Sequence, residues 1–191
     1  MKIIQILAHP KPGSFNHVIA ETVRQTLVGG GHSVIQHDLY LEKFDPVLIT
    51  EEITAKYDDL PQNIKNFIDE IKEAEGLVFV HPDWWSGPPA ILRGWIDRVF
   101  RQGFAYRFTE KGPIPLLGDK TVQIFVTANS PEHVIRDVYG VPIEKFWRQI
   151  VFGLCGAKSV GYKHFTEVIL SDLPKRQGWL REVEEIVKKT F

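Results

Sequence analysis

The chain of 191 residues contains a single cysteine, Cys155, and a single methionine, at its first position. A lone cysteine cannot form a disulfide within the chain, so a protein of this length relies on a packed core for its stability. Cys155 stands in the apolar run 152–156. Because burial without a cationic neighbour raises the pKa of a thiol, we expect this side chain to be buried and inert.

The chain also lacks a long apolar segment and an excess of charge of either sign. No run of about 18 apolar residues is present, and a lysine and a glutamine interrupt the apolar start of the chain. Since 23 lysines and arginines balance 24 aspartates and glutamates, no long-range field favours nucleic acid or an acidic membrane. The sequence predicts one cytoplasmic domain spanning 1–191, with no membrane insertion and no nucleic-acid partner.

Several catalytic signatures are missing as well. The chain has no Walker phosphate loop, no G-x-G-x-x-G motif and no G-x-S-x-G elbow. A metal site is not predicted, because these histidines are scattered without ligand spacing: His32, His37, His81 and His164. The acidic pairs Glu51-Glu52 and Asp58-Asp59 are interpreted as solvated surface charges.

Short β-branched runs alternate with longer segments of helical period along the chain. Strands are predicted at 3–8, 33–36, 77–80, 122–127 and 159–165, and helices at 15–28, 64–74, 89–101, 143–154 and 179–189. Strands that are apolar throughout belong to a parallel sheet covered on both faces. The pattern therefore predicts an α/β three-layer sandwich with a five-stranded parallel sheet in the order 2-1-3-4-5. The segments 41–61 and 102–120 break the pattern and are predicted as long loops.

The turn between the first strand and the first helix is suited to bind an anion. Ser14 and Asn16 are residue types that begin helices, and the exposed N–H groups of a first helical turn attract phosphate. An ordinary capped helix explains the same residues without a ligand. His9 in this turn is explained equally well as a structural histidine bonded to the backbone.

Two adjacent tryptophans, Trp84 and Trp85, follow the third strand in a turn where burial alone would not place them. They stand at the carboxyl end of a buried strand, which is where open α/β sheets bind ligands. An indole there can pack on a flat aromatic ligand, while backbone N–H groups of residues 83–87 point at its heteroatoms. The alternative is that both tryptophans fill the core or a subunit contact. Trp95 repeats with its apolar neighbours at helical spacing, which predicts a core position.

A third polar turn leaves the fourth strand with Thr127, Asn129 and Ser130. In the strand order 2-1-3-4-5, this turn and the two preceding ones flank a single crevice. The three turns together suit a ligand with a phosphate at one end and a polar ring at the other.

These residues resemble the flavodoxin-like NAD(P)H:quinone oxidoreductases, the DT-diaphorase family and its bacterial relatives. The matching motifs span 1–156 and are His9-Pro with Ser14-Phe-Asn16, Asp38-Leu-Tyr40 with Phe44-Asp-Pro46, the run from Pro82 to Phe100, and Gly103-Phe-Ala-Tyr106. The resemblance implies a flavodoxin-like fold and a flavin, FAD or FMN, with NAD(P)H as co-substrate. It further implies ping-pong hydride transfer to a quinone-like acceptor.

The resemblance also assigns positions to the flavin. It implies phosphate contacts at the first turn, the isoalloxazine ring along the second and its polar edge at the third. The residues so implied are His9, Ser14, Phe15, Asn16, Pro82, Asp83, Trp84, Trp85, Ser86, Thr127, Ala128, Asn129 and Ser130.

The family is homodimeric, which implies a homodimer here whose partner subunit completes the substrate pocket. We expect Phe104, Tyr106 and Tyr139 at that pocket or at the subunit contact. No catalytic residue is assigned, because the tyrosine and histidine of the family's proton relay have no positional match. The alternative functions are a flavin-binding regulatory or ancillary subunit of a transport system and a one-electron carrier. The nearly balanced charge argues against the carrier, which usually needs an acidic docking face.

Overall fold

A computed structural model describes all 191 residues and contains seven strands. They are β1 (Lys2–Leu7), β2 (Ser33–Asp38), β3 (Gly76–Pro82), β4 (Tyr106–Thr109), β5 (Gly112–Pro115), β6 (Thr121–Thr127) and β7 (Ser159–Phe165). β4 and β5 form a separate antiparallel hairpin. The other five strands form one parallel sheet in the order β2-β1-β3-β6-β7, which confirms the predicted order.

The chain also contains seven α-helices, two 3-10 helices and two π-helical segments. The helices are α1 (Phe15–Gly29), α2 (Thr50–Ile53), α3 (Gln62–Glu73), α4 (Ala90–Val99), α5 (Pro142–Lys145), α6 (Phe152–Cys155) and α7 (Leu173–Thr190). Short 3-10 helices lie at Tyr57–Asp59 and Val168–Leu170, and π-helical segments at Val134–Val138 and Phe146–Val151. No helix in the chain combines the length and the apolar character needed to cross a bilayer.

The sheet separates two apolar cores, and successive residues of its strands enter them alternately. In β1, Ile4 and Ile6 join α3 and α4 in the larger core, whereas Ile3 and Leu7 join α1 and α7 in the smaller one. Every residue of β3 is buried. Because helices cover both faces, the apolar character of the strands is continuous, and the predicted three-layer sandwich is confirmed.

Two further predictions, both about buried side chains, are confirmed. Trp95 is fully buried in the larger core, as its helical spacing indicates. Cys155 is also buried, and burial raises the pKa of its thiol to about 12. Gly156 follows α6 with a φ of 77°, the left-handed conformation that glycine adopts without steric cost.

Four predicted elements differ from the structure. The predicted loop 41–61 contains α2 and a 3-10 helix, and α7 begins six residues before the predicted start at 179. The loop prediction for 102–120 was wrong in its middle, where β4 and β5 form the hairpin. Pro113 and Pro115 hide the strand signal, because proline has no N–H to donate and is confined to sheet edges. The predicted helix 143–154 is divided into α5, a π-helical segment and α6. Within the π-helical segment, Trp147 is fully buried and donates its indole N–H to His81 Nε2 at 2.9 Å.

A buried ion pair ties α4 to the segment that follows β2. Arg98 Nε donates to Glu52 Oε2 at 2.8 Å, and its guanidinium also donates to the Asp45 carbonyl oxygen at 2.6 Å. Both charged side chains are almost fully buried, so the prediction of a solvated Glu52 was wrong. Arg98 lies on the buried face of α4, one turn after Trp95, and a buried guanidinium requires a carboxylate partner.

Gly94 allows the backbone at Pro46 to contact α4 directly. A Cβ atom at Gly94 would lie 2.1 Å from the carbonyl oxygen of Pro46, far inside van der Waals contact. This close approach and the Arg98–Glu52 pair together fix the path of residues 45–52 across the helix. Gly94 is therefore needed for packing and not for backbone flexibility.

We expect Gly94→Ala to lower the free energy of unfolding by about 1–3 kcal/mol, the usual cost of overpacking. Gly153→Ala is the matched control, because a Cβ atom there would meet the Arg148 carbonyl oxygen at 3.5 Å, an ordinary contact. The control should change stability by less than about 1 kcal/mol. Urea unfolding followed by circular dichroism measures both values, and equal losses would contradict the packing role.

Candidate functional site

The three predicted turns meet at the carboxyl edge of the sheet. The Ala8 N–H donates to the Val80 carbonyl oxygen at 3.0 Å, and the Asp83 N–H donates to the Thr127 carbonyl oxygen at 2.7 Å. The Asn16 side-chain amide also donates to the Thr127 hydroxyl oxygen at 2.9 Å, although the two residues are 111 positions apart. The three turns are thus bonded to one another at one edge of the sheet, as the strand order predicts.

The first turn of α1 offers unpaired donors. Ser14 is the N-cap residue, yet its side chain makes no capping bond and instead contacts His17 Nδ1 at 2.8 Å. The backbone N–H groups of Phe15, Asn16 and His17 have no acceptor in the chain. Unsatisfied N–H groups at a helix start, together with the helix dipole, form an anion site.

Most side chains of this turn hold the frame together. Phe15 packs against Trp179, with ring centroids 5.7 Å apart. His9 Nδ1 accepts the Lys11 N–H at 3.1 Å, which is the structural alternative that the sequence left open. Burial lowers the pKa of His9, so this imidazole is mainly neutral. Of the residues predicted here, the structure offers a ligand chiefly the backbone N–H groups and Ser14.

The second turn carries its tryptophans in an unusual conformation. Trp84 and Gly87 exchange backbone hydrogen bonds of 3.0 and 3.2 Å, which leaves Trp85 and Ser86 as the two central residues. Their φ angles are 56° and 61°, a left-handed pair that Asn and Gly usually occupy. Trp85 is fully exposed and Trp84 is 42% exposed. A strained backbone that presents an uncovered indole is typical of a site for a ligand or a partner.

The backbone N–H groups of this turn are mostly used within the protein. Burial raises the pKa of the Asp83 carboxyl group, and the nearby Ser86 and Gly87 N–H groups oppose this shift only in part. Trp84 donates to Gly87, and Asp83 donates to Thr127. The prediction that residues 83–87 direct their N–H groups at a ligand was therefore wrong for Asp83, Trp84 and Gly87, whose N–H groups donate within the chain.

The third turn keeps two of its donors free. The Thr127 hydroxyl is bonded to Asn16, and the Ala128 N–H donates to the Phe165 carbonyl oxygen at 2.8 Å. The Asn129 side chain accepts the Ile169 N–H at 3.1 Å. The backbone N–H groups of Asn129 and Ser130 have no acceptor in the chain, so they can donate to the polar edge of a ligand.

Sequence reasoning missed a cluster of buried titratable groups beneath the second and third turns. His81 is completely buried and neutral, because burial lowers its pKa to about 4. Burial likewise lowers the pKa of His164 to about 4. His164 Nε2 lies 3.8 Å from Asp83 Oδ2, and its Nδ1 contacts the Tyr162 hydroxyl at 3.2 Å. The only sequence signal was a histidine near the end of β3 and another near the end of β7.

A cavity of about 780 Å³ lies away from these turns and includes Phe104 and Tyr106 in its lining. No residue predicted to contact the flavin lines this cavity. Tyr139 is exposed next to the π-helical segment Val134–Val138 and does not line it either. Within one chain, the structure therefore brings Phe104 and Tyr106 together and separates both from Tyr139 and from the three turns.

Comparisons with known proteins match the fold and nearly the whole length of the chain. Residues 1–187 match a family with a flavodoxin-like fold. An uncharacterized NAD(P)H oxidoreductase of Haemophilus influenzae is 33% identical over 184 residues, which are 94% of this chain and 91% of that protein.

Two further matches are named for quinone reduction. NAD(P)H dehydrogenase (quinone) 1 of Cavia porcellus is 32% identical over 159 residues, 71% of this chain but only 56% of that enzyme. The chain thus matches little more than half of the mammalian protein. The structure of an NAD(P)H:quinone oxidoreductase from Methanothermobacter marburgensis superposes with a TM-score of 0.83 at 27% identity, covering 98% of this chain and 97% of that one.

The buried histidines predict how stability depends on pH. His81 and His164 remain neutral in the folded chain down to about pH 4, whereas unfolded histidines take up protons near pH 6.5. Unfolding below pH 6.5 therefore binds protons, and stability should fall as the pH decreases from 6.5 toward 4. Each histidine contributes a slope of up to about 1.4 kcal/mol per pH unit.

Urea unfolding between pH 6.5 and 5 measures this slope, in a range where ordinary carboxylates stay ionised. His164→Asn should reduce the slope by up to about 1.4 kcal/mol per pH unit. His133→Asn, at an exposed histidine, is the control and should leave the slope unchanged. A His164→Asn slope equal to that of the parent would contradict a buried neutral His164.

Proposed function

Because the chain belongs to the family with the flavodoxin-like fold, we propose that it is a flavin-dependent NAD(P)H oxidoreductase that reduces quinone-like acceptors. The observation that carries this proposal is the convergence of three features at one sheet edge. These are the unpaired N–H groups at the start of α1, the uncovered indole of Trp85, and the free N–H groups of Asn129 and Ser130. In this proposal the domain that binds the flavin spans residues 1–191.

The donor set fits a flavin from end to end. The N–H groups of Phe15, Asn16 and His17 would hold a phosphate, and Trp85 would pack on the isoalloxazine ring. The N–H groups of Asn129 and Ser130 would donate to the pyrimidine edge, where negative charge develops on reduction. A bound flavin supplies the hydride chemistry that protein side chains lack. We also propose that NAD(P)H and the acceptor occupy the same place beside Trp85 in turn, a ping-pong order.

The proposal is tested with purified protein in two steps. Heat or acid should release a yellow compound, and its absorbance spectrum and mass distinguish FMN from FAD. The protein should then oxidise NADH or NADPH in the presence of a simple quinone under steady-state conditions. A colourless protein that takes up neither flavin would refute the proposal, and a flavoprotein without turnover would favour a regulatory subunit.

Trp85→Ala should weaken flavin binding by about 1–3 kcal/mol, because the variant loses an aromatic stacking contact. Ile150→Ala is the control, since it removes an apolar side chain that is 62% exposed on the π-helical segment Phe146–Val151. Quenching of flavin fluorescence during titration gives both dissociation constants. Unchanged flavin affinity in Trp85→Ala would place the isoalloxazine ring elsewhere.

We further propose that the active unit is a homodimer formed through the face around the large cavity. Phe104 and Tyr106 line this cavity, and the exposed Phe108 ring lies 5.4 Å from the Tyr106 ring. Further exposed apolar side chains come from the neighbouring segments: Leu48, Ile49, Ile53 and Leu116. An apolar face of this kind on a water-exposed surface is typical of a subunit contact. In the proposed dimer, this face of one subunit completes the crevice of its partner.

Ile53→Arg combined with Phe108→Arg should convert the dimer into a monomer, because it places charge in the apolar contact. Both side chains are exposed, so the substitutions spare the core of the monomer. Ile150→Arg is the matched control. Sedimentation should show a monomer that still holds flavin but reduces quinone at least about tenfold more slowly. A monomeric variant with the parent turnover rate would show that one chain forms the whole site.

A further inference from the structure

We infer that His17 controls the phosphate end of the site by setting the direction of the Ser14 hydroxyl group. In this inference only a protonated His17 leaves the Ser14 hydroxyl hydrogen free to donate to a phosphate. The inference rests on the proposed function, because it concerns the phosphate of the proposed flavin.

The observation is a chain of three side chains beside the start of α1. Ser14 Oγ lies 2.8 Å from His17 Nδ1, and His17 Nε2 lies 3.2 Å from Asp38 Oδ2. The other carboxylate oxygen of Asp38 accepts the N–H groups of Tyr40 and Leu41 at 3.1 and 3.2 Å. Asp38 is therefore bonded both to α1 and to the turn after β2. It cannot turn away from His17 without losing its bonds to that turn.

Asp38 determines which imidazole nitrogen carries the hydrogen when His17 is neutral. An ionised carboxylate only accepts hydrogen bonds, so Nε2 must be the donor to Asp38. Nδ1 is then bare and accepts the hydroxyl hydrogen of Ser14. In this state the Ser14 oxygen presents only lone pairs to the crevice, and these repel a phosphate.

Protonation of His17 reverses the Ser14 bond. Both imidazole nitrogens then donate, Nε2 to Asp38 and Nδ1 to the Ser14 oxygen. The hydroxyl hydrogen is released and can donate to a phosphate, next to the free N–H groups of Phe15 and Asn16. Phosphate binding is thereby coupled to the uptake of one proton by His17.

Other charged groups around His17 do not take over this role. Lys11 lies two residues after His9 in the β1–α1 turn. The pKa of His9 is lowered by burial and, to a smaller extent, by His17 itself. One turn along α1, Glu21 is bonded to Arg24 at 2.8 Å. His17 is therefore the histidine that is paired with both a carboxylate and the hydroxyl of the helix start.

The test compares FMN with riboflavin, which has the same ring but no phosphate. Dissociation constants are measured by fluorescence quenching from pH 7 to pH 9, where the FMN phosphate is a dianion throughout because its second pKa is about 6. FMN affinity should fall with rising pH by up to about tenfold per pH unit, because binding takes up one proton, whereas riboflavin affinity should stay constant. Constant FMN affinity across this range would overturn the inference.

Substitution of His17 should remove the pH dependence. His17→Gln keeps a polar side chain without titration, and it should weaken FMN binding at pH 7 by about tenfold or more. Riboflavin affinity should be unchanged in this variant, which also shows that the fold is intact. His32→Gln, at a histidine beyond the other end of α1, is the control and should keep the parent pH profile.

A double substitution separates positioning from simple charge. If His17 acts through Ser14, the FMN affinity lost in His17→Gln with Ser14→Ala should be at least about threefold smaller than the product of the two single losses. Losses that multiply would show that His17 acts as an independent charge, which overturns the inference. A protein that binds none of FMN, FAD and riboflavin would refute the proposed function itself, so the two failures are distinguishable.

Discussion

Burial of both faces of the sheet is the constraint on which the rest of the structure depends. Every residue of β3 is buried between the two cores, so no side chain in the middle of this strand can meet a ligand. Polar chemistry is possible only where the strands end, and the parallel arrangement brings all these ends to one edge. The three turns after β1, β3 and β6 therefore lie together at this edge as a consequence of packing, before any of their side chains is considered.

At that edge, most polar side chains form hydrogen bonds within the protein and leave backbone donors for a ligand. Asn16 and Thr127 bond each other, and the Asp83 N–H donates to the Thr127 carbonyl oxygen. These pairs hold the three turns at fixed separations and stabilise the left-handed backbone at Trp85 and Ser86. A site built from backbone N–H groups is rigid, because the strands and α1 fix their directions.

The sequence predicted those parts that depend on periodicity, and it failed where a single tertiary contact decides. Continuous apolar runs predicted the strands and their order, and the adjacent tryptophans predicted the exposed turn. Arg98 and Glu52 were missed as a pair because they are 46 residues apart, and only the position of Arg98 on the apolar face of α4 signalled a partner. The acceptors of the N–H groups in residues 83–87 were equally invisible, because they depend on which carbonyl oxygens the folded chain brings within reach.

Helix α4 connects the crevice to the face with the large cavity. It begins just after the Trp85 turn and ends just before Arg101, whose guanidinium bonds the carbonyl oxygens of Glu52 and Ala55. Pro46 against Gly94 and Glu52 against Arg98 fix the segment that lines the cavity to this same helix. A shift of α4 would therefore move the exposed indole and the proposed subunit contact together. The packing of one helix thus sets the relative placement of the two surfaces from which the complete site would be formed.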